Sequence, residues 1–600
     1  MSSSVDNSIN ISSLQQSTES LTIRANPVSN FEESISIIAV SVGTYYTCFS
    51  VWLERCIGSD TSVKEGTTVQ GDLIPTILLL NPEQSLNSFG REALENYEAL
   101  SDDERDNYFY IKNFKIPAAN PDKITQSTIT EAGNKTVSLS EVLTLSLGYI
   151  HDLAMKAAKT EVPDLQEDSI QWNIVIPSAW TCSTKTLFRK AALKAGIPKD
   201  KLRLVLEPDA GSIFYNAWCK DPAVQEIVLP GNKYVLANLE QTRAEFNIFE
   251  VLLDNRLSCQ GHYRDNSISY EKDSFNVAVT NFLADLFGRQ VWEEFETRYP
   301  AAQHEIIYTI ETNMAKISDS NKNHSSVTLP SSLMYLFKAQ HGKSLSAVIK
   351  SRPYKKLVSF HKDSDTLTIK DDLMKQFYSS SLNAILKKLR EIVKANTELE
   401  IKALLLVGRY AEPHFVKEVL GVQFPHLKVI TQPCSRQAIL RGALAMGYMP
   451  LNSIQRRAQY TYGFASIEPF DSQVHPQELK TEVDGESWCD WVFKKRIEIG
   501  QELNYGDSFI IQGYGSAVDP EWKYVDKHTS LWRSSKVDPR FCLYEDCEEV
   551  GLIVHRPPLD GWPYQWQHET KVTVGETELN VKYVNLSTGD EDETQIDFLE

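Results

Sequence analysis

The spacing of apolar residues changes once along this chain. From Ile35 to about residue 450, short apolar runs alternate with segments that have apolar residues every three or four positions. This pattern predicts strands alternating with amphipathic helices. After Pro450 the helical period fades, and short β-prone runs are separated by Gly, Asp and Pro, which is typical of an all-β domain. The pattern therefore predicts an α/β domain over 34–450 and a β-sandwich-like domain over 451–600.

The first 33 residues are rich in Ser, Asn, Gln and Thr and contain few large apolar side chains. Such a segment cannot bury enough apolar surface to offset the entropy lost on ordering. We therefore expect a disordered tail over 1–33.

Local signals predict the ends of several elements. Ser138 and Glu141 have the spacing of a capping box and predict a helix that runs towards Lys159. Pro177 ends a predicted strand that begins at Trp172. A helix predicted next begins at Ser183 as its N-cap and ends at Gly196.

Three further segments of the α/β part read as helices. Two have strong amphipathic patterns, and one follows a buried apolar strand. They are Phe275–Phe295, Asp371–Ala395 and Glu412–Leu420.

Composition narrows the classes of partner. Hydrophobic residues make up 42% of the chain and charged residues 24%, as in ordinary soluble globular proteins. The 61 Lys and Arg residues against 80 Asp and Glu give a net charge of -19. This charge argues against nucleic acid or an anionic membrane as the main partner.

The nine cysteines form no CxxC pair and have no set of matching His or Cys partners. This favours reduced thiols and no zinc site. There is no apolar signal core, and no apolar run approaches the ~20 residues of a membrane span. We therefore expect a cytoplasmic protein with no membrane span.

A glycine turn near the start of the α/β part raises the question of phosphate chemistry. The apolar run Ile37–Val40 leads into Gly43-Thr44 and a second β-prone run, which predicts a strand, a tight turn and a returning strand. Backbone N–H groups of such a turn can contact phosphate. A metal-dependent reaction would also need a carboxylate at the strand end, where Ser41 stands.

Six segments in this order resemble the heat-shock-70 (DnaK-type) family of the actin-like ATPase superfamily. The resemblance covers roughly residues 34–600 and is greatest to the divergent branch typified by the twelfth human class and its fungal relatives. The segments are "IIAVSVGTYYT", "IVIPSAWTCSTKTLFRKAALKAGI", "LVLEPDAGSIFY", "YVLANLEQTRAEFNIFEV", "LLLVGRYAEPHFVKEVL" and "SRQAILRGALAMG". The resemblance implies two α/β lobes around a nucleotide cleft, followed by a β-domain with no sequence left for a helical lid.

The resemblance also implies which residues would contact a nucleotide, and several are altered. The first phosphate loop would be Gly43, Thr44 and Tyr45, with Ser41 in place of the family's metal-shell Asp. In the second loop Asn238 replaces the other Asp. Its glycines and threonine correspond to Glu240, Gln241, Thr242 and Arg243. A Glu240 carboxylate ~4 Å from a phosphate would cost roughly 4 kcal/mol before screening.

The remaining family positions are mixed. Gly408 is kept in the adenosine motif, but Arg409 and Ala411 replace the next two glycines. The adenine-clasp helix keeps Lys316 and has Asn313 in place of Glu. Glu207, which in the family helps position the attacking water, is kept, as a vestigial catalytic residue or as a structural carboxylate at a helix start.

These changes predict a heat-shock-70-like pseudo-ATPase. It would act as a chaperone-like protein that binds a protein client or a small molecule, with binding of ATP and Mg²⁺ weakened or lost. Trp562, Tyr564 and Trp566 form an aromatic cluster in the β-domain, which we interpret as packing rather than as a recognition surface.

Two other hypotheses remain open. Asp102, Asp103 and Asp106 have the DDxxD spacing of Mg²⁺–diphosphate motifs in terpene and prenyl diphosphate enzymes. The same segment also reads as a helix start with Ser101 as N-cap. Alternatively, Arg243 and Arg409 could grip phosphates in a weak, non-standard ATPase.

Overall fold

The computed structural model describes residues 17–24, 36–54, 63–71, 73–112, 114, 135–240, 243–264, 274–317, 324–433, 435–483, 485–516, 523–544 and 546–596. The chain divides into two compact units. The first contains the residues up to Phe249 together with His262–Met449, and the second contains Glu250–Gly261 together with the residues from Pro450. The sequence pattern predicted the change of domain near residue 450, and nothing in it indicated that 250–261 belong with the later part.

The first unit contains the helices and most of the strands of the α/β part. Its strands are β1 (Ser17–Arg24), β2 (Ser36–Val42), β3 (Tyr46–Glu54), β4 (Val63–Gln70), β5 (Ile74–Pro75), β6 (Ile77–Leu80), β7 (Leu86–Phe89), β8 (Phe109–Lys112), β9 (Ile170–Ile176), β10 (Leu202–Leu206), β11 (Lys233–Leu239), β12 (Ala244–Val251), β13 (Leu257–Arg264, which straddles the boundary as β12 does), β14 (His324–Thr328), β15 (Val358–His361), β16 (Thr366–Lys370), β17 (Ala403–Val407) and β18 (Lys428–Thr431).

Its helices are α1 (Arg91–Ala99), α2 (Asp102–Arg105), α3 (Leu139–Glu161), α4 (Cys182–Lys194), α5 (Glu207–Ile213), α6 (Pro222–Gln225), α7 (Phe275–Phe287), α8 (Arg289–Arg298), α9 (Pro300–Ala315), α10 (Ser331–Gln340), α11 (Leu345–Ser351), α12 (Asp371–Ala395), α13 (His414–Gln423) and α14 (Ser435–Met446).

Two sheets of the first unit share one strand order. In the first sheet β3, β2, β9 and β10 are successive neighbours, with β2–β3 antiparallel and the next two pairs parallel. In the second sheet β12, β11, β17 and β18 follow the same order, with β11–β17 and β17–β18 parallel. In each sheet the first two of these four strands are joined by a short turn. These two turns are the predicted phosphate loops.

The predicted disordered tail contains one described strand. Backbone pairing joins β1 to β4 antiparallel, from Ser17 opposite Gln70 to Arg24 opposite Val63. The prediction of disorder was therefore wrong for Ser17–Arg24. The rest of 1–33 lies outside the described residues.

Helix starts in the first unit confirm one predicted cap and correct another. Ser138 caps α3, where its hydroxyl accepts from the Glu141 N–H. The cap of α4 is Thr181, whose hydroxyl accepts from the Thr184 N–H, so the prediction of Ser183 was wrong. Thr181 has the extended backbone that an N-cap needs, whereas Ser183 is already inside the helix.

Two other helix boundaries also differ from expectation. The segment predicted as one helix from Phe275 is two, α7 and α8, separated at Gly288 with φ of 93°. That backbone conformation suits glycine and breaks the helix. The helix expected from Glu412 begins at His414 instead, after Pro413.

The two helices that follow the parallel strands, α5 and α14, cross at very close range. A Cβ on Gly442 of α14 would lie 1.7 Å from the carbonyl oxygen of Ala210 in α5. Only glycine permits this approach of two backbones. The crossing fixes the ends of β10 and β18, and with them the residues that follow each sheet.

The second unit consists of strands β19 (Ile454–Arg457), β20 (Thr461–Pro469), β21 (Lys480–Val483), β22 (Glu486–Ile497), β23 (Glu502–Leu503), β24 (Ser508–Ser516), β25 (Lys527–Ser534), β26 (Cys547–His555), β27 (Gln565–Val574), β28 (Leu579–Asn585) and β29 (Glu591–Ile596). Two sheets run in the orders β21-β22-β20-β25-β26 and β24-β27-β28-β29. A sandwich packing of these sheets stays a prediction.

The tryptophans of the aromatic cluster pack inside the second unit. The rings of Trp562 and Trp566 stack at 4.8 Å and both residues are buried. Their indole N–H groups donate to the Val525 carbonyl and the Tyr583 hydroxyl, as buried indoles require. Tyr564 is 64% exposed.

Candidate functional site

The first predicted phosphate loop is a tight turn between β2 and β3. The N–H of Gly43 donates to the Tyr46 carbonyl at 3.0 Å, and the Thr76 hydroxyl donates to the Gly43 carbonyl at 2.8 Å. A Cβ at Gly43 would lie 2.7 Å from the Tyr46 oxygen. The turn therefore needs glycine for its own closure.

The second predicted loop is held by charged side chains. The Glu240 N–H donates to the Arg243 carbonyl at 2.9 Å and closes the turn, while Gln241 and Thr242 lie outside the described residues. The Arg243 guanidinium forms an ion pair with Glu207 and lies 3.6 Å from Glu245. The positive charge of Arg243 therefore neutralises protein carboxylates, whereas in a phosphate site it would neutralise the phosphate.

Glu207 has both carboxylate oxygens engaged. One accepts from Arg243, and the other accepts from the side-chain amide of Asn238 at 2.7 Å. Its side chain is only 8% exposed. In this arrangement Glu207 is a structural acceptor that ties β10 to the second loop.

The adenosine-like motif presents a second buried ion pair. Arg409 Nε lies 2.5 Å from Glu311 Oε1, and these side chains are 10% and 6% exposed. The Arg409 guanidinium also lies 4.0 Å above the Tyr46 ring, a cation–π contact. The Tyr46 hydroxyl is 3.5 Å from Glu311. Tyr46 therefore completes the cluster.

Gly408 fixes the position of this motif. Its φ is 91°, and a Cβ there would lie 2.4 Å from the Leu239 carbonyl oxygen at the end of β11. The lining of the cavity described below includes its neighbour Arg409 but not Gly408. The role of Gly408 is close backbone packing.

These elements enclose a cavity of about 90 Å³. Of the predicted residues, its lining includes Gly43, Thr44, Tyr45, Glu207, Arg243 and Arg409, together with Ser41, Tyr46 and Glu240. An engineered cavity of about 150 Å³ takes one benzene molecule. The cavity in this conformation is smaller than that reference.

The predicted adenine clasp is not part of this site. Lys316 is exposed after the end of α9, and the Asn313 amide donates to the Ser326 carbonyl at 3.0 Å. The acid that reaches the site from α9 is Glu311, which the sequence analysis missed. A carboxylate among the buried Ile310 and Met314 was the signal that could have identified it.

The cationic side chains that line the cavity are paired with carboxylates of the protein. Four carboxylates, Glu207, Glu240, Glu245 and Glu311, accompany the guanidiniums of Arg243 and Arg409. Burial, followed by the charge of Glu207, raises the pKa of Glu240 to about 7. Burial opposes charge on Arg243, but Glu207 and Glu245 hold its pKa above the usual value. The two guanidiniums that line the cavity are therefore each held by a protein carboxylate.

The acidic segment Asp102–Asp106 lies apart from this cavity. Asp102 and Asp103 are exposed in the first turn of α2, and Asp106 is its exposed C-cap. Ser101 and Glu104 form a reciprocal capping box at its start. Across the described parts of the chain, no cluster of three or more His, Cys, Asp or Glu is arranged to hold a metal ion.

The mixed α/β architecture, with its repeated strand order around one cavity, is consistent with an actin-like ATPase type of fold. The chain is similar to Heat shock 70 kDa protein 12A of Mus musculus, with 23% identity over 650 residues that cover 96% of this chain and 93% of the relative.

Two human proteins show the same level of similarity. Heat shock 70 kDa protein 12A of Homo sapiens is 23% identical over 95% of this chain and 93% of its own. Heat shock 70 kDa protein 12B of Homo sapiens is 23% identical over 88% and 85%. No family model matches the chain. These similarities support a heat-shock-70-like protein.

One further finding bears on the expected partners. Among the helices that the structure describes, none is both long and apolar enough to cross a membrane.

Proposed function

We propose that this protein is a heat-shock-70-like pseudo-ATPase, a chaperone-like binding protein of the cytoplasm that does not hydrolyse ATP. It would bind a protein client or a small molecule without using magnesium or a nucleotide. The similarity to Heat shock 70 kDa proteins 12A and 12B supports the heat-shock-70-like part of the proposal. The loss of hydrolysis is argued from the site.

The observation that carries the proposal is the engagement of Glu207. A carboxylate has about four lone-pair sites, and a water that it positions competes for them with its other hydrogen-bond partners. In Glu207 each oxygen already accepts from a protein donor, Asn238 on one side and Arg243 on the other. By the resemblance, Asn238 stands where the family has an aspartate that holds the metal. Asparagine has no negative charge with which to neutralise a metal ion. Its side-chain amide donates a hydrogen bond to Glu207 instead.

Electrostatics support the same conclusion. Magnesium binding favours carboxylates free of competing cations, but Glu207 is paired with Arg243 and Glu311 with Arg409. A triphosphate at this cavity would have to compete with Glu207 and Glu311 for the guanidiniums of Arg243 and Arg409. Removing one partner of a buried pair costs about 3–5 kcal/mol, which a nucleotide would have to supply on binding.

Isothermal titration of the full chain with ATP and ADP, each with and without Mg²⁺, tests the proposal. We expect no magnesium-dependent binding heat and no phosphate release above the buffer control. A cooperative thermal melt of the same sample shows that the protein is folded. Magnesium-dependent ATP binding with micromolar affinity would contradict the proposal.

A second candidate, a weak non-standard ATPase, is favoured by one observation. Arg243 and Arg409 both line the cavity, and Nη1 of Arg409 is buried without a hydrogen-bond partner among the described residues. In that case the titration gives ATP binding that the substitution Arg409→Met weakens at least tenfold, with slow phosphate release.

A further inference from the structure

A second, larger cavity of about 240 Å³ lies in the first unit. One side is formed by β6, β8 and α1, with Ile77, Leu94 and Tyr110 in the lining. The other side is formed by α7, α8 and α9. Tyr45 and Tyr46 lie between the two cavities, since both residues line both.

Polar bridges span this cavity and hold its two sides together. Lys112 Nζ lies 3.1 Å from Glu296 Oε1, and the N–H of Ala301 donates to Glu98 at 3.1 Å. Arg91 also pairs with Glu305. Because these contacts join α1 and β8 to α8 and α9, the cavity persists as a feature of the folded unit.

The volume sets the size of an occupant. An engineered apolar cavity of about 150 Å³ takes one benzene molecule. On that scale 240 Å³ accommodates roughly two fused rings.

The charge of the lining sets the charge of an occupant. Lys112 and Glu296 neutralise each other. Burial, followed by the charges of Arg91 and Arg409, lowers the pKa of His304 to about 4, so this imidazole is neutral at pH 7. A charged ligand would lose its hydration without gaining a counter-ion in this lining.

The lining also offers aromatic rings and a hydrogen-bond acceptor without a partner among the described residues. Tyr45, Tyr46 and Tyr110 supply aromatic rings. Asn276 lines the cavity, and its Oδ1 is buried and accepts no hydrogen bond from any described residue. Buried polar atoms normally have a partner, and a ligand N–H or O–H would supply one here.

We propose that this cavity binds an uncharged, planar molecule of about two fused rings that donates one hydrogen bond to Asn276. The proposal goes beyond the proposed function, because it concerns a different cavity and does not depend on whether ATP is hydrolysed. Tyr46 remains a wall of this cavity through its contact with Arg409.

Indole is a suitable probe, because it is neutral, has two fused rings and carries one N–H donor. Titration of the full chain with indole is expected to show one saturable site. Benzofuran has the same shape without the donor and is expected to bind about fivefold more weakly, the worth of one hydrogen bond. Indole-5-carboxylate, an anion at pH 7, is expected to bind at least tenfold more weakly than indole.

Substitutions in the lining separate this site from non-specific binding. Asn276→Leu should remove the preference for indole over benzofuran. Thr280→Trp fills the cavity from α7 and should weaken indole binding at least tenfold. Thr160→Trp adds the same ring at an exposed position of α3 and should leave binding unchanged.

Gln303→Trp fills the cavity from α9 and should also weaken indole binding at least tenfold. It replaces Thr280→Trp as the test if that variant does not fold. The absence of saturable binding to the wild-type protein at millimolar indole would overturn the proposal. Unchanged indole affinity in a folded cavity-filling variant would overturn it as well. The ATP titration is a separate measurement, so failure of either proposal is visible on its own.

Discussion

The guanidinium of Arg409 lies 4.0 Å above the ring of Tyr46, and its Nε is bonded to Glu311. This contact joins the first loop, the adenosine-like motif and helix α9 in one cluster. The resemblance to the heat-shock-70 family predicts that Arg409 stands in place of the second glycine of the adenosine motif. The Arg409 side chain occupies the space at that position, and the Glu311 carboxylate neutralises its charge.

The first prediction concerns the energy of this ion pair. Arg409→Met or Glu311→Leu leaves an unpaired buried charge and is expected to lower the free energy of unfolding by about 3 kcal/mol. The double variant is expected to recover most of this loss, because well-packed apolar groups replace a buried pair at little cost. Urea unfolding followed by circular dichroism measures all three variants.

The exposed pair Arg91–Glu305, with side chains 61% and 53% exposed, is the control. Arg91→Ala is expected to change stability by less than about 1 kcal/mol. Equal losses for the buried and the exposed pair would show that Arg409 and Glu311 are not coupled as described.

The second prediction concerns pH. Because the pKa of Glu240 is raised to about 7 in the folded protein, the folded state holds a proton that the unfolded chain releases near pH 4.5. The stabilisation from Glu240 is complete below about pH 4.5 and is lost as pH rises through 7. His304 acts in the opposite direction, because its lowered pKa makes stability rise with pH between about 4 and 6.5.

Glu240→Gln isolates the first effect. The difference in unfolding free energy between wild type and this variant, measured from pH 4 to 8, is expected to shift against the wild type by up to about 3 kcal/mol as pH rises. A constant difference across this range would show that Glu240 titrates normally.

The third prediction concerns the crossing of α5 and α14. Gly442→Ala forces a Cβ into the Ala210 carbonyl and is expected to cost at least about 2 kcal/mol, because neither backbone can retreat cheaply. Gly148→Ala is the matched control, since Gly148 lies within α3 with no atom within 4 Å of the added Cβ. That change should stabilise by roughly 0.5–1 kcal/mol.

Both variants are compared by thermal melting in one buffer. If Gly442→Ala melts at the wild-type temperature, the close approach of the two helices is incorrect.

The fourth prediction separates capping from metal binding in the acidic segment. Ser101→Ala removes one side of the capping box and is expected to cost about 1 kcal/mol, whereas Asp102→Asn should cost less than about 0.5 kcal/mol. The magnesium–diphosphate hypothesis predicts instead that the protein turns over a prenyl diphosphate and that Asp102→Asn abolishes the turnover. Assay of the wild type and both variants with Mg²⁺ decides between them.

The sequence by itself determined the local features. Apolar runs predicted the strands β9, β11, β12 and β17. The apolar character of a buried strand is visible in its own residues, so it can be recognised without knowing what the strand packs against. Ser138 gave the start of α3, since its cap partner Glu141 is three residues away. The order of motifs also indicated the two turns that line the cavity. It showed Ser41 and Asn238 at positions where the resemblance leads us to expect aspartates.

Helix ends were harder to predict, because neighbouring residues of suitable type compete for the same capping position. Thr181 and Ser183 are both good N-caps by type, and the turn from Pro177 to Trp180 selects Thr181. Gly288 is tolerated in many helices, and only its positive φ shows that it separates α7 from α8.

Only the tertiary structure decided what the altered residues do. Arg243 forms an ion pair with Glu207, which is 36 residues earlier in the chain. Arg409 forms an ion pair with Glu311 of α9, almost 100 residues earlier. The sequence shows which charged residues are present but not which of them form ion pairs, because ion pairing depends on how the sheets and helices pack. The second cavity was invisible for the same reason: it exists only where α1 and β8 meet α7, α8 and α9, and no stretch of sequence contains it.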